Sequence, residues 1–90
     1  MDQPTRYSRN DDMLFGQTGG ETFMLNVPTG AYFALNETAT RVWQILDQPC
    51  SEAEIVSALV AEYRIDADRC RMEIGPFLAE LVKRNVLRTT

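Results

Sequence analysis

Gly30-Ala31-Tyr32-Phe33-Ala34-Leu35-Asn36-Glu37-Thr38-Ala39-Thr40-Arg41-Val42-Trp43 changes periodicity in mid-stretch, from strand-like to helix-like, across one capping residue. Ala31, Phe33 and Leu35 fall on one face of a strand, with Tyr32 and Ala34 on the other. Asn36 can accept a hydrogen bond from the first turn of a helix, and Ala39, Val42, Trp43 and Leu46 follow at i, i+3, i+4 and i+7 on one helical face. Asn26-Val27-Pro28-Thr29-Gly30 before it reads as a tight turn, with Pro28 presetting φ and Gly30 free to take φ > 0. The order is therefore strand, turn, strand, cap, helix, with almost no linker.

Working toward the N-terminus, residues 21–27 alternate, with Phe23, Leu25 and Val27 on one side and Thr22, Met24 and Asn26 on the other. Met13-Leu14-Phe15 is a short apolar run, separated from this strand by Gln17-Thr18-Gly19-Gly20, whose paired glycines suit a hairpin. Three strands joined by two short turns make an antiparallel meander, and its third strand is left with one partner and a free edge. Residues 1–12 are polar and aperiodic and are expected to form a flexible lead-in, leaving residues 13–90 as one domain.

Toward the C-terminus, the first helix should end near Asp47, because Gln48-Pro49-Cys50 cannot continue it. Ser51 and Glu54 form a capping box opening a second helix, in which Ile55, Leu59 and Tyr63 face inward. Asp66 caps a third helix, expected over residues 67–85. Its apolar residues Cys70, Ile74, Phe77, Leu78, Leu81 and Val82 span an arc of about 120°. Gly75-Pro76 lies inside it; because the stripe stays in phase across the proline, the expectation is a kink rather than a break. Val86-Leu87-Arg88 is a short β-prone tail.

Composition excludes several classes of function. The chain of 90 residues is 44% hydrophobic and carries a net charge of −4, which suits a small globular domain and disfavours binding of nucleic acid through phosphates. The charge is uneven: residues 1–63 hold nine acids against Arg6, Arg9 and Arg41, whereas residues 64–90 hold six bases against four acids. There is no histidine, no phosphate-binding loop and no metal-ligand cluster, so neither catalysis nor a cofactor is expected. No apolar run approaches the length of a membrane span and the polar start is no signal peptide, so the expected location is the cytoplasm. Cys50 and Cys70 lack metal or redox spacing, and Cys70, within an apolar face, reads as a small core residue.

Three strands and three helices form a winged-helix-like α+β outline. DNA binding is the usual use of that outline, yet the basic residues of the third helix, Arg69, Arg71, Lys83 and Arg84, are interleaved with Asp68, Glu73 and Glu80. A free strand edge beside an apolar helix instead suits an extended peptide, taken up as an added strand.

The run from Gly30 to Ala39, followed by Val42-Trp43-Gln44-Ile45-Leu46, the Ser51-x-x-Glu54-Ile55 helix start, Phe77-Leu78-Ala79-Glu80-Leu81 and the closing Val86-Leu87, resembles the PqqD family, also called the RiPP recognition element. The likeness covers residues 13–88. It implies a stand-alone, non-catalytic domain that binds the leader segment of a ribosomally made precursor peptide and presents it to a maturation enzyme. That enzyme would be a lasso-peptide protease or cyclase, or a radical enzyme. It further implies a peptide site made of the strand Ala31, Tyr32, Phe33, Ala34 and Leu35 and of a helix surface drawn from Arg69, Cys70, Arg71, Ile74, Phe77, Leu78 and Leu81. In that reading Tyr32 and Phe33 supply main-chain hydrogen bonds, Arg69 or Arg71 pairs with leader acids, and the acidic residues Glu52, Glu54 and Glu62 touch the enzyme. Two other readings stand beside it: a winged-helix nucleic-acid binder, and a structural homodimer in which the third strand pairs with its own copy.

Overall fold

Gly19 and Gly20, at φ +59° and +82°, supply the two left-handed residues that a two-residue hairpin requires, and the first hairpin of the meander closes on them. The computed structural model describes residues 4–90. Along them lie β1 (Arg6–Arg9), β2 (Met13–Thr18), β3 (Glu21–Asn26), β4 (Tyr32–Leu35), α1 (Glu37–Ile45), β5 (Cys50–Ser51), α2 (Glu52–Tyr63), α3 (Ala67–Lys83) and β6 (Leu87–Thr89). The expected antiparallel meander is present in the order β2-β3-β4, and the three helices follow it in sequence.

The alternation along β3 is also as expected, and its buried side is the more polar one. Thr22, Met24 and Asn26 point inward, while Leu25 and Val27 are exposed. Each inward polar group has a partner, which removes the penalty for burying it. The Thr22 hydroxyl donates to the Thr40 hydroxyl of α1 at 2.8 Å, and the Asn26 side-chain oxygen accepts from the Thr29 amide within the turn.

Residues 1–12 depart from the expected flexible lead-in. The part of that expectation covering residues 1–3 lies outside the described residues, but Arg6–Arg9 is a strand at the centre of a second sheet, ordered β5-β1-β6. Nothing periodic in Arg6-Tyr7-Ser8-Arg9 announces this, because its order comes from distant partners. Tyr7 pairs with both Cys50 and Thr89, and Arg9 pairs with Leu87. Arg9 then reaches under the meander: its guanidinium lies 4.5 Å from the Trp43 ring centroid and 5.0 Å from that of Phe15, and it donates to the Trp43 carbonyl. Such stacking contributes about 0.5–2 kcal/mol. Asn10 closes the corner, donating to the Asn85 carbonyl and accepting from the Asp12 amide.

The core lies between the meander and the helices. Trp43 of α1 and Leu46 at its C-cap, Ile55 and Leu59 of α2, and Leu78 of α3 are almost wholly buried in it. The three expected caps all form: Asn36 accepts from Ala39 N–H, Ser51 and Glu54 make a reciprocal capping box, and Asp66 accepts from Arg69 N–H. α1 stops at Ile45 and α3 at Lys83, two residues short of the expected ends. α3 runs through Pro76 as one helix. Pro76 and Met72, whose carbonyl loses its donor there, are both exposed, Met72 to 76%, so the interruption falls on the face of α3 turned away from the core.

Ser51→Ala removes half of the capping box and should lower stability by about 1 kcal/mol in urea unfolding. The Ser51 backbone and side-chain hydrogen bonds hold the Glu54 carboxyl below its ordinary pKa. Its folded-state pKa is depressed, so its contribution is present above the unfolded carboxylate pKa and is lost as pH falls through the folded value. In Glu54→Gln that acid-dependent part of the stability curve should be absent.

Candidate functional site

The hydrogen-bond register of β4 determines which of its groups face outward. Asn26 N–H donates to the Ala31 carbonyl at 2.8 Å, and the pairs continue as Leu25 with Tyr32, Met24 with Phe33, Phe23 with Ala34 and Thr22 with Leu35. In an antiparallel ladder the bonded pairs alternate, so Ala31, Phe33 and Leu35 turn their main-chain groups toward β3. Tyr32 and Ala34 therefore turn theirs toward the open edge, because β4 is the last strand of its sheet. The main-chain donors and acceptors at this edge belong to Tyr32 and Ala34; Phe33, expected to share that role with Tyr32, is occupied by the sheet.

Beside this edge a groove of about 280 Å³ runs between β4 and α3, lined by Tyr32, Phe33, Ala34, Leu35, Phe77, Glu80, Leu81 and Arg84. Phe77 also borders a second hollow of about 220 Å³, which lies against the start of α1 and is lined by Asn36, Thr38, Ala39, Val42, Glu73 and Ile74. A third, about 240 Å³, shares Thr38, Glu73 and Ile74 and ends on Cys70, Tyr63 and Ile65. Together they form one mostly apolar trough along α3, from Arg84 at one end to Cys70 at the other.

The twelve residues anticipated from the sequence divide into three groups. Tyr32, Phe33, Ala34, Leu35, Phe77 and Leu81 line the groove together, and Ile74 and Cys70 line its continuation. Cys70 is buried, and that burial raises its thiol pKa, which suits a packing role rather than a reactive one. Ala31 lies half-buried at the head of β4, and Leu78, at 0% exposure, belongs wholly to the core. The two arginines lie at or beyond the margin. Arg69 sits at the far end of the trough facing Glu73, 3.6 Å away, while Arg71 pairs with Asp68 and borders a different hollow between α2 and α3. Two of the three acids assigned to an enzyme contact are engaged internally: Glu54 in the capping box, and Glu62 with Arg41 at 2.9 Å.

Glu80 and Arg84 line the groove without having been singled out. They follow Phe77 at i+3 and i+7, so extending the apolar stripe by its polar flank reveals them. Arg84 Nε donates to Glu80 Oε1 at 2.7 Å and holds that carboxyl below its usual pKa, leaving the mouth of the groove nearly charge-neutral.

The model of the family described as coenzyme PQQ synthesis protein D (PqqD) matches residues 21–87. The chain belongs to the PqqD family. A solved structure similar to this PqqD-family chain is that of TbiB1 in complex with the TbiA(beta) leader peptide, with a TM-score of 0.81 and 28% identity over 90% of this chain and 94% of that one. No curated protein sequence matches the chain. The family match spans β3 through the first residue of β6, which includes every element of the trough. No described helix is long and apolar enough to cross a membrane.

Because the Ala34 N–H is turned outward, Ala34→Pro should fold with a far-UV circular dichroism spectrum and a melting temperature close to those of the wild type. Phe33→Pro removes a ladder bond to Met24 and should lower stability by about 3 kcal/mol or more. Equal stability of the two variants would contradict the register.

Proposed function

We propose that this domain captures the leader segment of a ribosomally made precursor peptide by adding it as a strand to β4, and presents it to a maturation enzyme. The observation that carries this reading is the coincidence of an open edge, with the main-chain groups of Tyr32 and Ala34 turned outward, and an apolar groove against Phe77 and Leu81 directly beside it. Strand addition needs both: main-chain hydrogen bonds provide affinity, and the groove receives alternate side chains and provides selectivity. TbiB1, similar over nearly its whole length, is solved in complex with a leader peptide.

The domain acts by binding and not by catalysis, since the trough holds no converging acid, base and nucleophile. Its place is the cytoplasm, where a ribosomal precursor meets its enzymes, of the lasso-peptide protease or cyclase type or the radical type. Phosphate recognition fits poorly, because Arg69, Arg71 and Arg84 each face a carboxylate of α3 within one helical turn.

The test is fluorescence anisotropy with labelled leader peptides from short open reading frames beside the gene. Wild-type protein should bind one of them with weak salt dependence, Ala34→Pro should lose binding while folded, and Phe77→Ala should weaken it about 10- to 100-fold, equivalent to about 1.4–2.8 kcal/mol. Failure of every such leader to bind, or undiminished binding by folded Ala34→Pro, would overturn the proposal.

A further inference from the structure

The meander has a second open edge, and nothing on it is built to keep other strands away. β2, Met13-Leu14-Phe15-Gly16-Gln17-Thr18, is the outer strand opposite β4 and contains no charge and no proline. Natural edge strands are usually guarded by lysines, prolines, bulges or a covering element. Here Leu14 is 63% exposed and Phe15 46% exposed, and no described backbone group bonds to the main chain of Phe15 or Gln17 from outside the meander.

The register of β2 on β3 shows which groups are open. Val27 N–H donates to the Asp12 carbonyl, and the pairing then runs from Met13 with Asn26 to Thr18 with Glu21. Leu14, Gly16 and Thr18 therefore hydrogen-bond to β3, while Met13, Phe15 and Gln17 face the open edge. The Met13 N–H is already used by the Asn10 carbonyl, so the edge offers the Met13 carbonyl and both groups of Phe15 and Gln17.

We infer that β2 pairs antiparallel with β2 of a second copy of this chain about a two-fold axis at Phe15, making one continuous six-stranded sheet. The chain's own pattern is complementary to itself in this register. Phe15 would exchange two hydrogen bonds with Phe15 of the second copy, and each Gln17 N–H would reach the other Met13 carbonyl. Leu14 then lies opposite Gly16 of the second copy in a non-hydrogen-bonded pair, where side chains approach most closely, at a Cα separation of about 4.5 Å. Gly16 has no heavy atom within 4 Å of where its Cβ would be, so an exposed Leu14 meets an empty position on each side of the axis. This contact is isologous and closed. It leaves both β4 edges free at the outer ends of the sheet, so it neither uses nor obstructs the proposed peptide site, and its test is independent of that reading.

Sedimentation velocity of the full chain over a wide concentration range tests the pairing. The wild type should shift reversibly from monomer to dimer mass as concentration rises. Gly16→Lys, which fills the empty position and sets two ammonium groups close together across the axis, should remove the dimer. Gln17→Pro, which deletes an edge N–H that β3 does not use, should also remove it. Both variants should keep the wild-type circular dichroism spectrum. A wild type that stays monomeric throughout, or dimerisation by both folded variants as by the wild type, would overturn the inference.

Discussion

The Asn36 side chain, accepting from Ala39 N–H at 2.9 Å, starts α1 one residue after β4 ends. With no slack between them, α1 must fold back under the sheet, where Thr40 meets Thr22 and Trp43 meets Phe15. α3 in turn packs where α1 and α2 leave room, along the open side of β4. The trough is thus the space remaining after a strand and a helix have been joined by the shortest possible junction. Its walls come from parts of the chain some forty residues apart because that junction leaves no nearer candidate.

Local chemistry made most of this arrangement legible. The caps at Asn36, Ser51 and Asp66 and the turns at Gly19-Gly20 and Gly30 are decided within a few residues of one another, and each appears where its chemistry places it. The apolar stripe of α3 was equally plain, and Pro76 does not interrupt it. What stayed hidden depended on distant partners. β1 is two arginines around a tyrosine and a serine and acquires its strand form from Cys50–Ser51 and Leu87–Thr89. The inward side of β3 was misleading by hydrophobicity, since Thr22 and Asn26 are buried through partners that no periodicity displays. In the site, the assignment of open main-chain groups to Tyr32 and Ala34 rather than Tyr32 and Phe33 followed only from the register, which a strand's own sequence does not contain.

The charges of α3 illustrate the difference between counting residues and locating them. Four bases on one helix and its C-cap suggest an anion site, yet three are matched by carboxylates of that helix at i±3 or i±4. Exposed pairs of this kind contribute little to stability, about 0–1 kcal/mol each. Their effect is on the field: they leave the trough apolar and nearly uncharged, so selectivity there rests on shape and main-chain bonding.

The sheet formed by the two ends of the chain has a mechanical consequence. Arg6 and Thr90 exchange hydrogen bonds at the outer end of the β1–β6 pair, so the first and last described strands are held together at the point where both leave the domain. A force drawing the two ends apart would load that pair first and then Ser8 and Arg88, opening the ladder like a zipper, one rung at a time, rather than shearing all rungs at once. β1, the central strand, would still be held by β5, so Arg9 would keep its place beneath Phe15 and Trp43. Tension between two tethers would therefore peel away the last strand while the β2-β3-β4 meander, shielded from load as long as β1 stays on β5, remained whole.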